Sequence, residues 1–216
     1  MQLKEVLKNE PKYKIDQIWQ GKFNPALNSF IEITTLSKDL REKIKDFPWL
    51  SVKPILLQKS KEGDTTKALL ELSDGQTIET VLMGRVNKRE TREDDFRNTI
   101  CLSTQVGCAM NCAFCATGKM GLKRNLTADE LIDQYRFWQK YLLQNGGGEV
   151  NNIVLMGQGE PLLNYENIKE ALNLFIKYGE IGQSKITMST CGIVPGMKKM
   201  IEDKDFPPVR FALSLH

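Results

Sequence analysis

The chain has 216 residues, of which 41% are hydrophobic and 26% are charged, and its formal net charge is +3. This composition is typical of a globular protein with a buried core, and so small a charge does not by itself indicate a nucleic-acid partner. No apolar run approaches the roughly 20 residues that cross a bilayer, and the N-terminus lacks the apolar segment of a signal peptide. We therefore expect a soluble, cytoplasmic protein with no membrane contact.

Residues 1–50 have the apolar spacing of three short helices, which predicts a small helical accessory domain. Ser37 is placed to cap the third helix, and Phe47 with Pro48 follows its end. Residues 1–67 contain 13 Lys and Arg against 9 Asp and Glu. This surplus is compatible with RNA binding, although solvated lysine is the commoner explanation.

Residues 51–98 are predicted to form a β-hairpin and a charged connector. The runs 68–72 and 77–82 read as strands, and Asp74-Gly75 between them favours a tight turn because glycine tolerates a positive φ. Residues 84–98 carry many charges of both signs and are expected to be an exposed loop.

From residue 99 strands and helices alternate, which predicts a parallel sheet in an α/β fold. Thr127 and Glu130 form a capping-box pattern at the start of one helix. Glycines 146–148 follow that helix. The expected strands are 99–105, 152–156, 184–190 and 208–215, and the expected helices are 128–144, 165–178 and 195–203.

Three of the five cysteines, Cys108, Cys112 and Cys115, lie within eight residues, after the first strand of this series. Three thiolates can hold a [4Fe–4S] cluster with one iron free of protein ligands, whereas four cysteines would make an electron carrier. The free iron can chelate an amino and a carboxylate group, which S-adenosylmethionine (SAM) supplies. The alternative is structural zinc, which normally requires four ligands. Only Cys101 could be recruited as the fourth, because the one histidine is His216.

Polar residues also follow the later strands, where parallel α/β folds bind ligands. Gly159 and Glu160 follow the second strand, and Glu160 could bind the ammonium group or the ribose of SAM. Ser189 and the stretch Ser214-Leu215-His216 follow the next two strands. Each segment taken alone could be an ordinary turn, and Cys191 is expected to be a packing residue.

Together these motifs resemble the RlmN family of radical SAM enzymes, which methylate C2 of adenine in 23S rRNA and tRNA. The matching motifs are Cys101-x6-Cys108-Ala-Met-Asn-Cys112-Ala-Phe-Cys115-Ala-Thr-Gly, Arg124-Asn125-Leu126, Met156-Gly-Gln-Gly-Glu-Pro-Leu-Leu-Asn164, Ser189-Thr-Cys-Gly192 and Ser214-Leu-His216. The front helical module and the hairpin also look like this family's N-terminal region, so the resemblance covers essentially the whole chain.

The resemblance implies a partial TIM-type (β/α) barrel at residues 99–216, of which about four strands are present. It implies a [4Fe–4S] cluster on Cys108, Cys112 and Cys115, two SAM molecules per methylation, rRNA and tRNA substrates, a reducing electron-donor protein and a monomer. It places the general base at Glu79 and a cysteine that helps to resolve the protein–RNA adduct at Cys101. The SAM contacts that it implies are Gly159, Glu160, Ser189, Ser214, Leu215 and His216.

The chain departs from this family after Cys191, because no later cysteine is present to carry the transferred methyl group. It also stops at the end of a strand, so we expect an N-terminal fragment that does not complete methyl transfer alone. Two alternatives remain open: a C8-adenine rRNA methyltransferase of the same family, and a non-catalytic zinc-containing RNA-binding protein.

Overall fold

The computed structural model describes residues 3–86 and 96–215, and within them one seven-stranded sheet dominates the fold. The strands are β1 Val52–Lys59, β2 Thr65–Leu72, β3 Thr77–Val86, β4 Phe96–Cys101, β5 Gln105–Gly107, β6 Leu122–Asn125, β7 Val150–Leu155, β8 Ile186–Thr190 and β9 Arg210–Leu213. The order in the large sheet is β1-β2-β3-β4-β7-β8-β9, while β5 and β6 pair separately.

The large sheet has an antiparallel half and a parallel half that meet at β4. Strands β1 to β4 pair antiparallel, and β4, β7, β8 and β9 pair parallel. The helices are α1 Leu3–Leu7, α2 Lys12–Phe23, α3 Lys38–Ile44, α4 Ala116–Lys119, α5 Ala128–Gln144, α6 Tyr165–Tyr178 and α7 Val194–Glu202. Because α5, α6 and α7 connect successive parallel strands, the parallel half is the predicted partial barrel with four strands.

One face of the sheet is covered by helices and the other is open. Ile100, Ile153 and Ile186 are fully buried in one core with Leu131 of α5 and Leu172 of α6. On the opposite face, cross-strand partners form a half-exposed or exposed row: Lys67, Val81, Cys101, Val154, Thr187 and Arg210. This second face is the interior of the partial barrel.

Helix α5 begins with the predicted capping box. Thr127 Oγ1 accepts the Glu130 backbone N–H at 3.2 Å, and the Glu130 carboxylate accepts the Thr127 N–H at 2.9 Å. Within the described residues, no helix is both long and apolar enough to cross a membrane.

The front helices α1 to α3 have their own small core and contact α5 beside a buried ion pair that lies within that helix. Arg136 and Asp133 of α5 pair at 2.5 Å, and Arg136 also donates to the backbone oxygens of Lys22 and Trp49. Burial alone would raise the pKa of Asp133, but Lys22, Arg136 and the Ser51 N–H lower it below its usual value. The small core consists of Leu7, Ile18, Phe30, Ile33, Leu36, Leu40 and Ile44.

The expected loop at 84–98 is wrong at both ends, because β3 continues to Val86 and β4 begins at Phe96. Residues 87–95 lie outside the described residues. Asn98 shows why polar residues misled the prediction, since its side chain is buried and donates to the backbone oxygens of Gly147 and Glu149 at 2.6 and 2.9 Å. A satisfied polar side chain can occupy a strand as well as a loop.

The expected strand at 99–105 is also interrupted. Strand β4 ends at Cys101, and β5 starts at Gln105 and pairs with β6. Between β4 and α5, the segment that carries the three clustered cysteines therefore contains a short hairpin and helix α4.

Candidate functional site

The loops that follow the parallel strands meet at one edge of the sheet. The Gly157 N–H donates to Leu102 O at 3.0 Å, and the Thr104 N–H donates to Gln158 O at 2.7 Å. Ser103 joins three strands, because its hydroxyl donates to Glu79 O at 2.6 Å and accepts the Gln158 N–H at 2.9 Å. The segment after β4 is thus fastened to the segment after β7.

The β5–β6 hairpin closes the base of the cysteine loop. Gln105 pairs with Asn125, and Val106 pairs with Arg124. Gly107 has a φ of +74°, and a Cβ atom there would lie 1.8 Å from the carbonyl oxygen of Gly121. Glycine is therefore required where the two ends of the loop cross.

The three clustered cysteines lie on the loop above this hairpin. Cys108 is buried and its sulfur accepts the Met110 N–H at 3.5 Å, while Cys112 and Cys115 are half-buried in a turn closed by a 3.0 Å backbone bond. Burial raises the pKa of the Cys108 thiol, and the neighbouring Cys112, Cys115 and Glu160 raise it further. Across residues 3–86 and 96–215, no three Cys, His, Asp or Glu side chains stand in an arrangement that could hold a metal ion.

Glu160 is the buried carboxylate of the site, with 4% of its surface exposed. Its Oε1 accepts the Thr190 hydroxyl at 2.6 Å and the Leu162 N–H at 3.1 Å, and its Oε2 accepts the Cys191 N–H at 2.9 Å. Burial and a hydrogen bond to Glu160 raise the pKa of the Cys191 thiol to about 11. In the part of the chain that the structure describes, no Lys or Arg forms an ion pair with Glu160.

The remaining candidate residues lie near the ends of β8 and β9 and in the turn after β7. Ser189 and Ser214 share a 2.8 Å hydrogen bond between their hydroxyls, and Leu215 is 79% exposed. Gly159 has a φ of +101°, and an added Cβ atom would lie 2.6 Å from Gln105 Cβ. This glycine therefore allows the loop to pack on the segment after β4. His216 lies outside the described residues.

Glu79 and Cys101 lie on the open face of the sheet, within the barrel interior. Glu79 is two residues before Val81, the register partner of Cys101, so both side chains project from the same face. The Glu79 carboxylate pairs with Lys67 at 2.9 Å, and both side chains are more than 40% exposed. Burial raises the pKa of the Cys101 thiol, while a hydrogen bond from the Met156 backbone opposes the shift.

Sequence reasoning did not identify Thr190 or Gln105, although both contact Glu160. Thr190 stands in the Ser189–Gly192 motif, in which the predicted SAM contact is Ser189. Gln105 precedes the cysteine loop and offered no signal, because its partners lie 20 and 55 residues away in sequence.

Comparisons with known proteins point to one superfamily. Residues 102–216 match the model of the Radical SAM superfamily. The chain is 40% identical to the "Probable dual-specificity RNA methyltransferase RlmN" of Dictyoglomus thermophilum, an alignment that covers 100% of this chain and 59% of the relative. It is 34% identical to the "Dual-specificity RNA methyltransferase RlmN" of Marinobacter nauticus, over 96% of this chain and 54% of the relative. The chain therefore spans little more than half the length of these curated relatives.

A solved structure agrees with these matches. The crystal structure of a radical SAM methyltransferase from Sphaerobacter thermophilus superposes with a TM-score of 0.82 and 36% identity. The superposition covers 99% of this chain and 61% of that one. The similarity therefore extends over the helical front, the antiparallel strands and the partial barrel together.

Proposed function

Because the chain belongs to the radical SAM superfamily, we propose that it forms part of an enzyme that methylates C2 of adenine in rRNA and tRNA. The observation that carries the proposal is the position of three loop thiols at the same sheet edge as the buried carboxylate of Glu160. The names of the relatives, which are RNA methyltransferases, support the choice of RNA as substrate.

Cys108, Cys112 and Cys115 would hold a [4Fe–4S] cluster. The donor types fit, because three thiols share a loop whose base is closed by the β5–β6 hairpin and the Cys108 sulfur already accepts a backbone N–H. The three sulfurs do not form a metal-holding group among the described residues, so cluster binding would draw them together. Hydrogen bonds of this kind to cluster sulfurs are a usual feature of such sites. When bound, the cluster supplies an electron for the reductive cleavage of SAM.

Glu160 would bind the ammonium group of SAM. A carboxylate offers about four acceptor positions, and three of those on Glu160 are filled by the N–H and O–H donors of Leu162, Thr190 and Cys191. The remaining partner is the Cys191 thiol, a weak donor that an ammonium group would outcompete. A cation would also balance a buried charge that lacks an ion pair among the described residues.

The hydroxyls of Ser189 and Ser214 would contact the ribose or carboxylate of SAM, with Gly159 and Leu215 beside them. Their mutual hydrogen bond leaves acceptor positions on both oxygens. His216 completes the proposed set as an expectation that rests on the family resemblance.

Glu79 would act as the general base and Cys101 would assist the release of the RNA adduct. Their common location on the open face of the barrel supports a shared substrate cavity. Lys67 would hold the Glu79 carboxylate in place through the 2.9 Å ion pair. The basic front of residues 1–50 would contact RNA, and a reducing protein would supply the electron.

The test is anaerobic reconstitution of the chain with iron and sulfide. We expect about four irons per chain and formation of 5′-deoxyadenosine from SAM after reduction. Stoichiometric zinc without SAM cleavage would refute the proposal in favour of the zinc-containing RNA-binding protein.

The methylated position is tested with the complete protein encoded by the gene. Nucleosides from treated rRNA and tRNA should contain 2-methyladenosine by mass spectrometry. 8-Methyladenosine would instead identify the C8 enzyme of the same family.

A further inference from the structure

Two side-chain amides span the turn that carries Glu160. The Glu160 N–H donates to Gln105 Oε1 at 2.9 Å, and Gln105 Nε2 donates to Asn125 Oδ1 at 2.7 Å. Asn125 Nδ2 then donates to the carbonyl oxygen of Leu163 at 3.0 Å. Because the Leu163 N–H also donates to Glu160 O at 3.1 Å, the circuit begins and ends on the same turn.

The direction of every bond in this circuit is determined by the backbone groups at its two ends. A peptide N–H can only donate, so Gln105 must present its oxygen to Glu160. A peptide carbonyl can only accept, so Asn125 must present its nitrogen to Leu163. The two amides are thereby oriented towards each other as donor and acceptor, and neither can turn over without breaking two bonds.

The circuit joins the cysteine loop to the carboxylate. Gln105 and Asn125 are register partners in β5 and β6, which form the base of the loop that carries Cys108, Cys112 and Cys115. Gln105 is fully buried and packs against Gly159, the residue before Glu160. On its other side, the Glu160 carboxylate is held by Thr190 of β8.

We propose that Gln105 and Asn125 are positioning residues that set the Glu160 carboxylate relative to the cysteine loop, so that one SAM molecule can reach both. This inference rests on the proposed function. A SAM molecule bound by its amino and carboxylate groups needs the loop and Glu160 at a defined separation, and the amide circuit links them directly. Its role is therefore specific to the methionine portion of SAM.

The chain offers a matched control in Gln134 of α5. This side chain is also fully buried and bridges the N–H and carbonyl of Ser103 at 2.9 and 3.0 Å. It lies in the same buried polar region as Gln105 but does not bond to Glu160. Replacement of either glutamine by methionine removes a similar number of buried hydrogen bonds at nearly constant volume.

The experiment measures binding of radiolabelled SAM and of 5′-methylthioadenosine to anaerobically reconstituted chains by equilibrium dialysis. 5′-Methylthioadenosine lacks the amino and carboxylate groups of SAM. We expect Gln105→Met to weaken SAM binding about tenfold and to leave 5′-methylthioadenosine binding unchanged. Gln134→Met should leave both affinities unchanged, with thermal destabilisation comparable to that of Gln105→Met.

Asn125→Leu provides a second route to the same test, because Asn125 is exposed and its replacement is less hazardous to folding. It should weaken SAM binding in the same ligand-selective way, and the double variant should bind SAM no more weakly than Gln105→Met alone. Equal SAM affinity in Gln105→Met, Asn125→Leu and Gln134→Met would overturn the inference, as would a parallel loss of both ligands. Failure of the unaltered chain to bind SAM would count instead against the proposed function.

Discussion

The loop that carries the three clustered cysteines and the turn that carries Glu160 lie side by side. They differ in how many hydrogen bonds the protein makes to their functional groups. Glu160 is surrounded by donors from the β7 turn and from β8. The half-buried thiols of Cys112 and Cys115 lie in a loop organised mainly by backbone bonds, and the described residues form no metal-holding group. The carboxylate side is therefore preorganised by protein contacts, whereas the order of the loop side should depend on what its thiols bind.

The largest effect should come from Cys112→Ala, which removes a proposed cluster ligand. We expect iron content to fall from about four per chain to less than about one, with complete loss of SAM cleavage. Iron and sulfide analysis after anaerobic reconstitution provides the measurement. Cys191→Ser is the control for iron content, because Cys191 is not a proposed ligand. Equal iron loss in both variants would contradict the assignment of Cys112, rather than Cys191, as a cluster ligand.

Next in size is Glu160→Gln, which keeps the shape of the side chain and removes its charge. A hydrogen bond to a charged group contributes about 1.5–3 kcal/mol, so SAM affinity should fall by roughly 10- to 100-fold. Iron content should remain normal because the loop ligands are untouched. If Glu160→Gln instead lost its iron, the separation between the two regions would be wrong.

A smaller effect is expected for Thr190→Val, a nearly isosteric change that removes the 2.6 Å hydrogen bond to Glu160 Oε1. The hydrogen bond of the Gly192 N–H to the Thr190 hydroxyl is lost as well. We expect SAM affinity to fall by about 1 kcal/mol, or roughly fivefold. Isothermal titration would measure the change, and unaltered affinity would mean that Thr190 does not orient the carboxylate.

The smallest effect should follow Lys67→Met, which breaks the exposed ion pair with Glu79. Exposed pairs contribute about 0–1 kcal/mol, so urea unfolding should show a loss within that range and SAM affinity should stay constant. A marked loss of SAM affinity would extend the SAM site to this part of the open face, contrary to the account. In the complete protein, the same change should lower RNA methylation by displacing the Glu79 carboxylate.

Local patterns predicted the helices and strands well, and contacts between distant residues explain where prediction stopped. Helix α5 has the predicted bounds because Thr127 and Glu130 cap it three residues apart. The β5–β6 hairpin went unpredicted because its tight crossing brings Gly107 against the backbone carbonyl of Gly121, 14 positions away. A pairing between strands so far apart in the chain produces no periodic pattern in the sequence.

The same alternation of strands and loops accounts for what could be predicted about where the candidate site residues lie. The strand-loop alternation placed Glu160 and Ser189 at one edge, because carboxyl ends of parallel strands share an edge. The partners that orient Glu160 were not predictable, since Gln105 and Thr190 approach it from positions 55 and 30 residues away. Hydrogen-bond networks of this kind become visible only after the chain has folded.

The central claim is that three loop thiols hold a cluster with an open iron within reach of a SAM molecule bound at Glu160. Electron–nuclear double resonance of the reduced, reconstituted chain with SAM labelled with ¹⁵N at its amino group tests this directly. The account predicts a ¹⁵N coupling to the cluster and a change in its paramagnetic spectrum when SAM is added. A reduced cluster whose spectrum is unaffected by saturating SAM, with no ¹⁵N coupling, would contradict it.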